Sequence, residues 1–113
     1  MRLKSEIWVK AYLRRCLYNG ANGVIARHGD DAGAIFIKIV RADRMAAVFS
    51  PAPAGLEEVD IDRRWVPRFK SEFVPEAEAD SMLSREASFD SDIWVVEIED
   101  REGRHFLGDE LMK

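Results

Sequence analysis

Two histidines, each beside a run of acids, are the residues whose types and spacing come nearest to chemistry. His28 precedes Gly29-Asp30-Asp31, and His105 follows Asp100-Arg101-Glu102-Gly103. If the two turns lay at the same end of a sheet, His28, Asp30, Asp31 and His105 would form a mixed imidazole and carboxylate cluster. Two histidines with a carboxylate can hold zinc or iron with open positions, and a His–Asp pair can act as an acid/base couple. No nucleophile stands beside them, however, and Gly, Asp and Glu are what tight turns use for backbone reasons alone. Turn chemistry therefore explains these residues first. No metal or cofactor is expected, and a small metal-dependent or acid/base enzyme is the alternative.

Other routes to catalysis are thinner. The chain has no Walker-type phosphate loop, dinucleotide-binding glycine pattern, nucleophile elbow, paired-His zinc helix or calcium loop. Gly20-Ala21-Asn22-Gly23 follows a helical stretch instead of opening one, so it reads as a connection and not as a phosphate cradle. Glu97 and Glu99 share a strand face, but paired-carboxylate hydrolysis needs a second member from elsewhere. Ser5, Ser50, Ser71, Ser81, Ser84, Ser88 and Ser91 lack a local motif; capping and solvent exposure account for them. Cys16, the one cysteine, excludes an intrachain disulfide and a cysteine-rich zinc site. It falls in the middle of an apolar helix face, the setting of a buried, inert thiol.

The elements that must position these residues follow from periodicity. Residues 4–19 place Trp8, Val9, Tyr12, Leu13, Cys16 and Leu17 on one half of a helical wheel. Lys4, Lys10, Arg14 and Arg15 surround Ile7, Ala11 and Tyr18 on the other half, and Asn19-Gly20 supplies a stop. Strand-like runs at 23–27, 33–40 and 45–49, separated by short polar turns, predict a β-meander. Ile35, Ile37 and Ile39 would share one face, with Phe36 and Val40 opposite. Residues 51–55 are loop chemistry, and 57–62 are acidic and poorly patterned. Arg64-Trp65-Val66-Pro67-Arg68-Phe69 alternates, but Pro67 cannot donate to a ladder and makes the run an edge strand. Pro75 opens a helix reaching about Ser88, with Ala79, Met82, Leu83 and Ala87 as its apolar stripe. Residues 92–99 are the clearest strand, with Trp94, Val96 and Ile98 on one side and Ile93 and Val95 on the other. A turn at 100–103 then leads into a return strand at 104–107.

The predicted fold is a single α+β domain over residues 1–113. It has an antiparallel sheet, a meander of four to six strands, with an N-terminal helix and a second helix before a C-terminal hairpin. Because both faces of the central strands are apolar, either helices cover both sides or a second copy covers one.

At 113 residues, 47% hydrophobic and 34% charged, the composition is that of a globular chain. No apolar run approaches the roughly 20 residues needed to span a bilayer, and the N-terminus lacks the apolar core of a secretion signal. No membrane partner is expected, and a cytoplasmic location follows by elimination. Charge is uneven: residues 1–41 carry a net of +5 and residues 42–113 a net of −9. Two such halves suit an intramolecular or head-to-tail contact. The basic side of the first helix, with Lys10, Arg14, Arg15 and Tyr18, and a second basic and aromatic group at Arg64 and Trp65, form the expected interaction surface. Nucleic acid ranks below protein as its partner, since the whole chain is acidic, with a pI near 5.2.

Several phrases also occur together in a known family: Leu3-Lys4-Ser5-Glu6-Ile7-Trp8-Val9, Ala11-Tyr12-Leu13-Arg14-Arg15-Cys16, Gly33-Ala34-Ile35-Phe36-Ile37-Lys38, Phe89-Asp90-Ser91-Asp92-Ile93-Trp94-Val95-Val96-Glu97 and Gly103-Arg104-His105-Phe106-Leu107. Over nearly its whole length the chain resembles DUF1491, a family of short, mainly alphaproteobacterial proteins known as a domain of unknown function. The resemblance implies a stand-alone cytoplasmic bacterial protein and carries over no activity, cofactor or catalytic residue. The expected function is a non-enzymatic protein-interaction module that associates with itself or with a protein partner. The enzyme above and weak nucleic-acid binding through the first helix are the alternatives.

Overall fold

The computed structural model describes residues 4–53 and 63–112; the acidic stretch 57–62 and the end of the preceding loop lie outside them. In chain order the elements are α1 (Ser5–Tyr18), β1 (Asn22–Arg27), β2 (Ile35–Val40), β3 (Met45–Pro51), β4 (Trp65–Pro67), β5 (Val74–Pro75), α2 (Glu76–Phe89) and β6 (Trp94–Glu99), followed by a 3-10 turn at Gly108–Glu110. The class is the expected α+β, with one mostly antiparallel sheet in the order β1-β6-β2-β3-β4 and β5 beside β3.

Two details of the path differ from the expected meander and hairpin. β1 does not pair with β2. β6 lies between them, antiparallel to β1 and parallel to β2, from Ile35 opposite Trp94 to Val40 opposite Glu99. The side chains explain the exchange. Trp94, Val95, Val96 and Ile98 make β6 apolar on both faces, which favours a central place. β1 carries Asn22, Gly23 and Ala26 and alternates between exposed and half-buried, as an edge strand does. The segment between β1 and β2 docks on the start of β6: the Asp30 N–H donates to Asp92 O (3.0 Å) and the Trp94 N–H to Ala34 O (2.8 Å). Gly29 and Gly33 permit this approach, because a Cβ at either would collide with the Asp92 carbonyl.

The return strand at 104–107 does not form. Both flanks of β6 are already occupied, so no free ladder remains for it. The turn itself is as expected: Gly103, at φ 77°, donates its N–H to Asp100 O (3.0 Å). Beyond it the chain crosses the sheet as a strap. Tyr12 Oη donates to His105 O (2.7 Å) and Arg15 Nη1 to Phe106 O (2.8 Å). The strap ends where Leu111 bridges Trp65 and the Met112 N–H reaches Trp65 O at 2.7 Å.

Each face of the sheet has its own cover. α1 and the strap bury Ile35, Ile37, Ile39, Phe49, Trp94, Val96 and Ile98. On the opposite face Ala79, Met82 and Leu83 of α2 meet Phe36, Val40, Val48 and Val95. Helices thus cover both sides, with the strand faces divided as the alternation predicts. Two positions on α1 depart from expectation. Leu17 is 66% exposed, because at 100° per residue it sits roughly 120° from the middle of the stripe formed by Ser5, Trp8, Val9, Tyr12 and Cys16. Ser5, expected in solvent, lies on that stripe and donates its hydroxyl to Gly33 O at 2.6 Å. Ser50 is likewise buried, inside β3. No helix among the described residues is long and apolar enough to cross a membrane.

Candidate functional site

The two histidine turns sit at opposite ends of β6, one beside Asp92 at its start and the other at Asp100 just past its end. His28 is exposed, its ring 4.0 Å from that of Trp94 and its Nδ1 3.0 Å from Gly29 O. Asp30 and Asp31 are exposed in the same loop, and Lys4 lies 3.8 Å from Asp31. His105 belongs to the strap, half-buried and edge-on to Phe49 at 5.4 Å. Its Nδ1 accepts the Leu107 N–H (2.9 Å), which leaves the proton of the neutral ring on Nε2. Burial pushes its pKa below the usual imidazole value. The four-residue cluster on which the enzyme alternative depends is therefore not assembled, as the separation of the two turns shows. Among the described residues no group of three or more His, Cys, Asp or Glu is placed to hold a metal ion.

Asp100 is explained by the backbone it holds. It is buried, accepts the N–H of Glu102 (3.1 Å) and of Arg104 (2.8 Å), and pairs with the Arg104 guanidinium at 2.7 Å. That guanidinium, then the two N–H groups, keep its carboxyl below the usual range. Cys16 is fully buried, and desolvation raises its pKa, the opposite of an activated thiol.

The expected basic surface is partly consumed inside the molecule. Trp65 is 1% exposed: its Nε1 donates to Ile35 O (2.9 Å) and its ring lies 4.3 Å from Trp8, so it belongs to the core and not to a surface. Arg15 is turned inward by Glu110 (2.8 Å) and lies over the Tyr12 ring at 5.6 Å. Arg64 donates to Asp109 O at 2.9 Å, and Lys10 pairs with Glu6 at 2.9 Å. Arg14 and Tyr18 remain exposed as expected, Tyr18 at 82%, in company with Ile7 and Leu17. Pro67 does mark an edge strand, but Leu111 bridges Trp65 on that edge and the ring turns into the core beside Trp8.

One polar group escaped the sequence reading. Lys38 stands in the middle of β2, where all six residues are buried. Its Nζ donates to Asp80 (2.6 Å) and Glu76 (2.8 Å) of α2 and to Glu97 (3.4 Å) of β6. Arg44 closes the group with a bond to Glu76 (2.6 Å) and lies 3.7 Å from the Glu99 carboxylate. The available signal was a lone cation inside Ile35-Phe36-Ile37-Lys38-Ile39-Val40, which cannot be buried without carboxylate partners. Burial pulls the Lys38 pKa down, but hydrogen bonds to Asp80 and Glu76 outweigh it and hold the ammonium above the ordinary lysine value. A nucleophilic or base lysine needs the reverse. Beside the group, a shallow groove of about 170 Å³ runs over Asn22, Val24, Glu97 and Glu99. It shares Asn22 and Glu99 with a cavity of about 250 Å³ reaching Arg41 and Arg101. Each is smaller than the roughly 300–1,000 Å³ of a ligand pocket. The arrangement secures α2 to the sheet.

The model of a family described as "Protein of unknown function (DUF1491)" matches residues 3–108. The crystal structure of a DUF1491 family protein from Caulobacter crescentus is similar with a TM-score of 0.82 at 41% identity, covering 100% of both chains. An NMR structure of a DUF1491 family protein from the same organism gives 0.81 at 43% identity, over 100% of this chain and 99% of that one. The solution structure of a protein from Agrobacterium tumefaciens gives 0.78 at 37% identity, over 90% and 89%. No curated protein matches the chain. With a matching family model over nearly all its length and two full-length structural relatives above 40% identity, the chain belongs to the DUF1491 family.

Proposed function

We propose that this chain is a non-catalytic cytoplasmic protein-interaction module that associates with copies of itself. The observation that carries this reading is a set of apolar and aromatic side chains left in solvent on α1 and on β1, the strand it packs against: Ile7, Leu17 and Tyr18 on α1, and Val24 on β1, each at least 53% exposed. The same elements carry few unpaired charges, since Lys10 is held by Glu6 and Arg15 by Glu110. That pairing weighs against nucleic acid, which needs several free cations along one face. Opposite charges of the two chain halves are likewise met within one molecule, Lys38 and Arg15 of the first half bonding to Glu76, Asp80, Glu97 and Glu110 of the second.

Sedimentation velocity from micromolar concentrations upward, in low and high salt, tests the reading. The expected result is concentration-dependent self-association that persists in both buffers, because apolar burial supplies most of its driving force. A strictly monomeric protein in both buffers overturns it.

A further inference from the structure

We infer that the contact between copies is made by the open edge of the sheet: β1 pairs antiparallel with β1 of a second copy across a two-fold axis, joining the two sheets. The inference deepens the self-association reading and rests on it.

The two sheet edges are built differently. β4 has three residues, one of them Pro67 without an N–H, and the end of the strap runs beside it through Leu111 and Met112. Those are the usual ways of closing an edge to a foreign strand. β1 has six residues, no proline, and one charge, Arg27, at its last position. Its one strand neighbour is β6, and among the described residues no backbone hydrogen bond reaches its outer side. A ladder of that length left unpaired invites another strand.

Apolar side chains flank the edge above and below. Leu13 packs over Gly23 of β1, and Leu17, one helical turn further on and turned outward, lies 66% exposed. On the other face Val24 is 58% exposed over the groove. Strand addition would remove both from water, at roughly 25 cal/mol per Å².

The occupant is a second copy because the edge is complementary to itself. On the α2 face, Arg27 stands at one end of β1, opposite Val95; Asn22 stands at the other, opposite Glu99. Antiparallel pairing turns the Arg27 end of each copy toward the Glu99 end of the other, while the uncharged middle of the strand meets itself. Each end has capacity to spare. The Arg27 guanidinium makes one exposed bond, from Nη2 to Ser91 O (3.1 Å), and the Glu99 carboxylate is 57% exposed with Arg44 no nearer than 3.7 Å. A two-fold contact of this kind closes on itself, so it stops at a dimer. Six residues of ladder with two apolar side chains per copy fall at the small end of specific interfaces, roughly 1,200 Å² or less, as suits reversible association.

The test compares wild type with Val24→Lys, Arg27→Glu, Glu99→Arg and the Arg27→Glu/Glu99→Arg double variant, by sedimentation and by amide hydrogen exchange at low and high protein concentration. Val24→Lys should weaken dimerisation at least about tenfold without changing thermal unfolding. Each charge reversal alone should weaken it, and the double variant should recover it. In wild type the amides of residues 22–27 should gain protection as concentration rises, a readout that holds even if a variant folds poorly. Association unchanged in Val24→Lys, or protection gained on α1 and not on β1, overturns the edge contact and leaves self-association standing. A monomer at every concentration overturns both.

Discussion

The two faces of the sheet are held by different physics. Under α1 and the strap, Trp8, Tyr12, Trp65 and Trp94 fill the interior, and each polar tip has an acceptor: Glu110, His105 O, Ile35 O and Asp30 O respectively. Under α2 the helix contributes Ala79, Met82 and Leu83, all smaller, and a lysine ammonium occupies the ground beside them. Large aromatic groups with satisfied tips yield most of the burial energy on the first face. On the second, three modest side chains define no strong registry. The bonds from Lys38 to Glu76 and Asp80, one helical turn apart, fix where α2 begins on the strands. One face supplies stability and the other supplies placement.

Truncations should expose that difference most sharply. Trp65→Ala removes the ring that links β4 to α1 and β2, and should cost about 3–5 kcal/mol; Met82→Ala should cost nearer 2 kcal/mol. Urea unfolding of both variants, read as a shift in midpoint at unchanged slope, measures the two costs. Equal costs would mean that the faces do not differ as described.

The lysine group is expected to behave oppositely to a packed ring. Lys38→Met replaces a buried cation by an apolar chain of similar length, and the freed carboxylates can turn to water, so stability should stay within about 1 kcal/mol of wild type. Glu76→Gln with Glu97→Gln leaves the ammonium with Asp80 alone and should cost about 1–3 kcal/mol, less than for a fully enclosed pair because the carboxylates are partly solvated. The hydrogen bond from Lys38 holds the Glu76 carboxyl below its usual range. Its contribution is therefore complete above the ordinary glutamate pKa and is lost as pH falls through the lowered native value. Wild type should lose stability on acidification that Lys38→Met has already forgone. A variant with the full acid loss would place that titration elsewhere.

Much of this was legible in the chain. Alternation in Ile35-Phe36-Ile37 and Trp94-Val95-Val96 assigns each side chain to its observed face, and Pro67 marks an edge. The class and both helices follow from periodicity, since burial is what periodicity records. Strand order is a competition among distant segments for the same ladder, and no local pattern reports its winner. Hence the place of β6 beside β2, and the loss of the 104–107 strand that followed from it, were not visible. The histidine turns were readable as turns, but their separation depends on that same order. Lys38 was legible in principle, as a charge inside an apolar run; its partners, 38 to 59 residues away, were not.

The smallest effect comes from the strap that crosses the aromatic face. His105 is kept neutral by burial, and its Nδ1 accepts the Leu107 N–H, a bond that a protonated ring cannot make. The unfolded chain takes up a proton at about pH 6.5, whereas the native imidazole resists until a lower pH. Between those two values the unfolded state binds more protons, so stability falls as pH drops below about 6.5 and levels once the native ring titrates. His105→Asn retains an acceptor for the Leu107 N–H and has no charge to gain. Comparing urea midpoints at about pH 7.5 and about pH 5.5 should show a larger loss for wild type than for His105→Asn, because carboxylates contribute equally to both. His28 is present in both proteins as well. An identical loss would assign the titration to other groups and leave the strap insensitive to pH, while a larger wild-type loss would assign the difference to His105 and its bond from the Leu107 N–H.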